Sequence, residues 1–257
     1  GTETDRVDRM AFSNRMQSVF ERILDVLWPR ICPVCGSLSD RPGRTVCSAC
    51  LMRLPFVEQN AGCCRVCGRP VAELRAAYLC EDCRRHKPRF DRAATALHYT
   101  GLARGLVKRY KYYGQFLLLD DFCDWLEGAA RARFAVEAVD CIVPMPMTLW
   151  HRIARGYSPV SYLAGKMSKR LARPCLRHVL ARAHFPGRQA GLREEARRRN
   201  VKGTFKVRRP DAVRGRTVLL LDDVLTTGAT LSEAAAALKR AGARCVLAVT
   251  LARSFRG

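Results

Sequence analysis

No apolar run in this 257-residue chain approaches the ~20 residues that a membrane-spanning helix needs; stretches such as Val218–Leu221 and Cys245–Ala248 are far too short. A transmembrane role is therefore not expected. Acids are scarce as well, with 23 Asp and Glu against 46 Lys and Arg and a formal net charge of +23. The folded surface must be basic, so an anionic partner is expected. No signal-like apolar stretch opens the chain, and its 13 cysteines are an odd number. Both points speak against a secreted disulfide scaffold and for metal binding in a reducing cytoplasm. Neither G-x-x-x-x-G-K-[ST] nor G-x-G-x-x-G occurs, which disfavours a P-loop or a dinucleotide fold. What is present, 48% apolar residues over this length, suffices for one substantial core and a small satellite domain.

Three segments follow from the patterning. In residues 1–30, the polar stretch Thr2–Arg9 is expected to be disordered, and Met16, Val19, Phe20, Ile23, Leu24 and Leu27 then recur at helical spacing until Pro29. This predicts an amphipathic helix that either packs on the rest of the protein or lies on a membrane surface or partner. Residues 31–90 are dense in cysteine and broken by Gly and Pro. Residues 91–257 read as α/β: strands at Ala93–Tyr99, Cys141–Val143, Phe205–Val207, Val218–Leu221 and Cys245–Leu251, helices at Leu117–Ala132, Val160–Leu171 and Leu231–Ala241. Such alternation predicts a mainly parallel sheet with helices on both faces. Between Arg182 and Arg216, twelve Lys and Arg stand against three acids, with Gly187, Gly191, Gly203 and Pro210 interspersed. That segment is expected to be a mobile loop leading to a hairpin-like arm.

The cysteine-rich segment contains a repeat. Cys32-Pro33-Val34-Cys35-Gly36 returns as Cys64-Arg65-Val66-Cys67-Gly68, and second pairs follow at Cys47/Cys50 and Cys80/Cys83. A C-x₂-C turn puts two thiolates on one side of a Zn²⁺ ion and a second pair closes the tetrahedron. Two structural zinc sites are therefore expected, at Cys32/Cys35/Cys47/Cys50 and Cys64/Cys67/Cys80/Cys83, since four thiolates leave no open position for catalysis. Gly36 and Gly68 stand where a positive φ turns backbone amides toward sulfur. Cys63 competes with Cys64 and His86 with Cys83, although only Cys64 gives the x₂ spacing. Cys123, Cys141, Cys175 and Cys245 stand alone in apolar contexts and read as buried small hydrophobes.

A second signal is the run Val218-Leu219-Leu220-Leu221-Asp222-Asp223-Val224-Leu225-Thr226-Thr227-Gly228-Ala229-Thr230. An apolar strand ends in two carboxylates, a Thr/Gly turn follows, and a helix begins. At the carboxyl edge of an open α/β sheet this is a ligand site. The amides of Thr226–Thr230 can surround a phosphate at the helix N-terminus, with Asp222 and Asp223 accepting from sugar hydroxyls directly or through a metal. The plainer alternative is a capping box, since Thr230 and Glu233 have S/T-x-x-E spacing.

This run closely resembles the 5-phosphoribosyl-1-pyrophosphate (PRPP) motif of type I phosphoribosyltransferases. With the cysteine modules in front, the chain from about Cys32 to Ser254 resembles the competence protein F family, which joins a double zinc ribbon to such a domain. Tyr110-Lys111-Tyr112 with Gly114, Val143-Pro144-Met145-Pro146, Arg155-Gly156-Tyr157, and Gln189, Leu192, Arg197, Asn200, Gly203 and Phe205 add to the match. The resemblance implies a type I phosphoribosyltransferase-like sheet behind a tandem zinc-ribbon domain. It implies PRPP or another phosphorylated ribose held by Asp222, Asp223, Thr226, Thr227, Gly228, Ala229 and Thr230, with Asp222 and Asp223 as the catalytic pair. Arg152 and Arg155 would face pyrophosphate, Mg²⁺ would neutralise it, and the Gln189–Asn200 stretch would close over the site.

The family link also implies a role in DNA uptake during natural transformation, with single-stranded DNA and uptake proteins as partners, in the cytoplasm or peripherally at the inner membrane. Lys108, Arg109, Lys111 and the Arg193–Arg216 stretch can track a phosphate backbone, and Tyr110, Tyr112 and Tyr113 can stack bases; the alternative is that these aromatics belong to a core. Two departures stand out. Thr226 occupies the place where hypoxanthine–guanine enzymes carry an acidic base, and Ser158-Pro159 replaces the Asn-Gln more often seen after Arg155-Gly156-Tyr157. An active phosphoribosyltransferase of nucleotide metabolism and a zinc-ribbon adaptor with a vestigial transferase domain are the competing readings.

Overall fold

The computed structural model describes residues 29–58, 62–70, 78–147, 155–182 and 203–254. The expected N-terminal helix, Arg152, and the Gln189–Asn200 stretch lie outside the described residues.

Four strands form one parallel sheet in the order β1 (Arg92–His98), β6 (Cys245–Arg253), β5 (Thr217–Leu225), β2 (Cys141–Pro144). The central strands β5 and β6 are buried along almost their whole length, as expected of a parallel sheet covered on both faces. Helices α4 (Leu119–Arg133) and α5 (Pro159–Leu171) pack together on one face, and α6 (Ala229–Arg240), the crossover between β5 and β6, packs on those strands elsewhere. The buried faces of α4 and α6 are Phe122, Trp125, Leu126 and Ala130, and Leu231, Ala234, Ala235 and Leu238, the i, i+3, i+4 recurrence that an amphipathic helix needs.

The structure lengthens two predicted elements. Strand β5 does not stop at Leu221 but stays paired with β6 as far as Leu225↔Arg253, so Asp222 lies opposite Thr250 within the ladder. Helix α6 starts at Ala229, with Gly228 as its N-cap at φ +76° and no side-chain cap. Thr230 is therefore inside the first turn and does not cap it, and Glu233 accepts instead from the Gly203 amide at 2.9 Å. In the α/β domain one long helix had no expectation: α3 (Gly101–Tyr113), closed by Gly114 in the left-handed conformation. It buries Tyr110, whose hydroxyl donates to the Pro159 carbonyl at 2.8 Å, so Tyr110 cannot stack a base; Tyr112 and Tyr113 remain exposed. Ser158-Pro159 gains a local reason, since Ser158 caps α5 through Ser161 N–H at 3.3 Å and Pro159 takes its first position. The base of the expected arm is a two-stranded antiparallel pair, β3 (Leu180–Arg182) with β4 (Phe205–Val207). Of the lone cysteines, Cys123 and Cys141 are buried, whereas Cys175 and Cys245 are only half-buried.

The cysteine modules sit against this sheet through buried polar contacts. On α4, Asp121, fully buried, accepts from the amides of Thr45 at 2.7 Å and Val46 at 3.3 Å and from Arg41 at 2.8 Å. Burial pushes its carboxyl pKa up, opposed by these donors. Neighbouring Asp124 pairs with Arg44 and Arg170. Arg133, at the end of α4, donates to the carbonyls of Cys64 at 2.9 Å and Arg65 at 3.1 Å, and Arg253, at the end of β6, donates to that of Cys67 at 2.6 Å. Phe56 stacks edge-on against Trp125, with centroids 5.8 Å apart.

Candidate functional site

The repeat seen in the sequence is a repeat in space. In each module the first cysteine's amide donates five residues ahead, Cys32 to Ser37 and Cys64 to Arg69, both at 2.8 Å. The glycine amide turns back, Gly36 to Cys32 and Gly68 to Cys64, both at 2.9 Å, with φ of +79° and +68°. The second pair in each case opens a short helix, with Cys47 before α1 (Ser48–Leu51) and Cys80 before α2 (Glu81–Arg85). The eight sulfurs form two groups, each with all ligand atoms within 4.8 Å. Tetrahedral Zn–S bonds of ~2.3 Å require sulfurs ~3.8 Å apart. Cys35 to Cys47 measures 3.7 Å and Cys67 to Cys80 3.6 Å. The residues fit two structural Zn²⁺ ions. Cys63 is no ligand, because its sulfur receives Arg133 at 2.9 Å, and His86 is an exposed residue after α2.

At the carboxyl edge of the sheet, β5, β2, α3 and α5 enclose a cavity of 280 Å³ whose polar wall is Lys111, Arg155, Arg182, Asp222, Asp223 and Thr230. The turn after β5 forms its margin. Gly228 takes its positive φ there, which a side chain would strain. The Ala229 amide is occupied by Thr227 Oγ1 at 3.3 Å. Among the described residues, the amides of Thr227, Gly228 and Thr230 have no acceptor. Amides left open at the start of a 12-residue helix, with the helix dipole behind them, favour an anion.

The two aspartates differ. Asp223, 8% exposed, pairs with Lys111 Nζ at 2.6 Å. Burial alone would lower the Lys111 pKa, but the Asp223 carboxylate raises it, so the lysine stays charged. Asp222 accepts from the Asp223 amide at 2.9 Å and forms no ion pair among the described residues. Burial first, and the Asp223 charge second, push its carboxyl up to about 7. Arg155 lies over the Tyr112 ring at 4.5 Å, a cation–π contact at the cavity mouth.

Asp222, Asp223, Thr230 and Arg155 thus share one cavity. Thr227, Gly228 and Ala229 line a different one, of 540 Å³, on the module side of the turn, and Thr226 is exposed and lines neither. Lys111, which the sequence reading assigned to a nucleic-acid backbone, is instead the partner of Asp223. Its sequence signal was its place in Tyr110-Lys111-Tyr112 ahead of Gly114, which carried no role by itself. Arg182 also had no signal, and it reaches the cavity only through the β3–β4 pairing.

Comparison with known proteins agrees with both halves. Residues 23–84 match the double zinc ribbon domain and residues 161–256 the phosphoribosyl transferase domain. Competence protein F of Haemophilus influenzae (strain ATCC 51907 / DSM 11121 / KW20 / Rd) is 29% identical over 193 residues, 73% of this chain and 84% of that protein. DNA utilization protein YhgH of Escherichia coli (strain K12) is 28% identical over 226 residues, 80% of this chain and 96% of that protein. Glutamine phosphoribosylpyrophosphate amidotransferase from B. subtilis superposes with a TM-score of 0.37 at 16% identity, over 55% of this chain and 30% of that one. The chain thus places a double zinc ribbon in front of a phosphoribosyl transferase domain, and along most of its length it is similar to competence protein F and YhgH.

Proposed function

We propose that this protein binds PRPP, or another phosphorylated ribose, with Mg²⁺, and that it works in the handling of incoming single-stranded DNA in the cytoplasm. The observation that carries the reading is the open turn: among the described residues the amides of Thr227, Gly228 and Thr230 have no acceptor, and they stand beside half-buried Asp222 and buried Asp223. The phosphate would rest on those amides and on the α6 dipole. Asp222 and Asp223 would take the ribose hydroxyls, with Lys111 holding Asp223 in place. Arg155, together with Arg152, would face the pyrophosphate, whose charge Mg²⁺ would neutralise. Residues 91–257 would form the ligand-binding unit and residues 31–90 the metal-stapled unit that covers one side of it.

The link to DNA rests on the names of the relatives and on charge. Exposed Lys108, Arg109, Tyr112 and Tyr113 follow one another along α3, basic and aromatic side chains of the kind that single strands bind. A second reading, an active phosphoribosyltransferase, is favoured by Asp222, because a carboxyl with a pKa of about 7 can accept a proton at neutral pH.

Calorimetric titration of Mg²⁺·PRPP into the unaltered protein and into Asp223→Ala tests the reading. Saturable binding to the first, its loss in the second, and unchanged zinc content in both are expected. Absence of binding to the unaltered protein overturns the reading. Base-dependent release of pyrophosphate would select the transferase, and salt-dependent retention of single-stranded DNA the DNA role.

A further inference from the structure

The 540 Å³ cavity on the other side of the turn is roughly twice the size of the first and lies within the ~300–1,000 Å³ of small-molecule sites. One wall is the turn itself, at Thr227, Gly228 and Ala229; the other is the second metal module and the segment from His86 to Phe90. The walls are fixed to each other, because the Arg89 amide donates to Ser232 Oγ at 3.0 Å in the first turn of α6. Phe90 and Leu225 supply an apolar floor directly beneath the turn: a Cβ on Gly228 would stand 3.6 Å from Leu225 and 4.0 Å from the Phe90 ring.

Charge on the walls is uneven. Both acids are matched, Asp82 by Arg69 at 2.6 Å, and Glu233 by the Gly203 amide at 2.9 Å and Arg240 at 3.5 Å. Lys87 and Arg89 are exposed at the rim and form no ion pair among the described residues. An apolar floor below a rim with surplus positive charge suits an amphipathic anion with a flat body. We propose that this cavity is a second ligand site, separate from the phosphoribosyl pocket, that takes a nucleoside monophosphate moiety: the base lies against Phe90 and Leu225, and the phosphate meets Lys87 and Arg89. The moiety is either a free mononucleotide or the terminal nucleotide of a DNA strand. Because the turn is a wall of both cavities, a ligand in one is felt in the other, and the coupling is reciprocal.

The test is a titration of deoxythymidine 5′-monophosphate into the full chain saturated with Mg²⁺·PRPP. Saturable 1:1 binding is expected, with deoxythymidine, which lacks the phosphate, at least about tenfold weaker. The double variant Lys87→Ala/Arg89→Ala removes only exposed side chains and leaves the Arg89 amide in place. It is expected to weaken the nucleotide by about tenfold or more while zinc content and Mg²⁺·PRPP affinity hold. A 5′-phosphorylated oligo-dT that competes with the mononucleotide assigns the site to strand ends, and one that does not assigns it to the free nucleotide. The proposal is overturned by absence of saturable nucleotide binding, by unchanged affinity in the double variant, or by complete displacement of the nucleotide by Mg²⁺·PRPP. Should PRPP not bind, the same comparison on the unliganded protein still decides the second site, so the two failures are distinguishable.

Discussion

The two metal modules have nearly the same backbone and different surroundings. The first lies on α4, where one buried carboxylate, Asp121, gathers two backbone amides and Arg41. The second lies at the end of the sheet, where arginines gather backbone carbonyls, Arg133 those of Cys64 and Arg65, and Arg253 that of Cys67. Cys35 of the first is exposed, whereas all four cysteines of the second are buried. Among the described residues, those of the second module border the turn after β5 and those of the first do not. The difference teaches that zinc shapes each module from within while the α/β domain decides what the module is for. One is fastened beside the core, and the other becomes a wall of a cavity.

Substitutions that treat the modules unequally test this, and the largest effect is expected from the ligands themselves. Cys35→Ser and Cys67→Ser each remove one of the two four-thiolate sites, whose apparent binding energies are on the order of 10–16 kcal/mol. Metal analysis should show one zinc lost in each case. Titration should show Mg²⁺·PRPP affinity falling by more than about tenfold in Cys67→Ser alone; equal losses would erase the contrast. Next in size is Asp121→Ala, which orphans the Thr45 and Val46 amides and takes from Arg41 its buried carboxylate partner. It should lower unfolding free energy by ~3–5 kcal/mol in urea with PRPP affinity retained. Arg133→Ala removes the donor to the Arg65 carbonyl and one of the two donors to that of Cys64 and should cost ~1–3 kcal/mol by the same measurement.

The smallest effect is a pH dependence. In the unliganded fold burial raises the Asp222 pKa to about 7, well above the usual carboxylate range, so protonation stabilises the folded state. That contribution is fully present below the unfolded pKa and is lost as pH rises toward the folded one. Ribose hydroxyls need the ionised acceptor, so ligand binding should release a proton and strengthen by about tenfold between pH 6 and 8. Asp222→Asn should flatten that profile.

Much of this was legible because the chemistry is local. The paired C-x₂-C turns, their glycines and the apolar core of β5 each declare themselves within a few residues. The remainder depends on residues far apart in the chain. Asp121 and Thr45 are 76 residues apart, and Arg253 and Cys67 186, and no spacing rule links a helix carboxylate to an amide it has yet to meet. The choice between Cys63 and Cys64 was open for the same reason until Arg133 closed it. Adjacent aspartates looked like the end of a strand, yet hydrogen bonding to β6 carries β5 past them. The Thr230–Glu233 spacing suggested a capping box, but Gly228 starts the helix earlier and leaves the threonine inside it.

The turn of Thr226 to Thr230 is what joins the metal side to the ribose side, and backbone NMR reads it most directly. When ribose 5-phosphate is titrated into ¹⁵N-labelled protein, the amide resonances of Thr227, Gly228 and Thr230 should shift together and saturate. If those three stay still while resonances elsewhere respond, the phosphate is held by other groups and the account of the site is wrong.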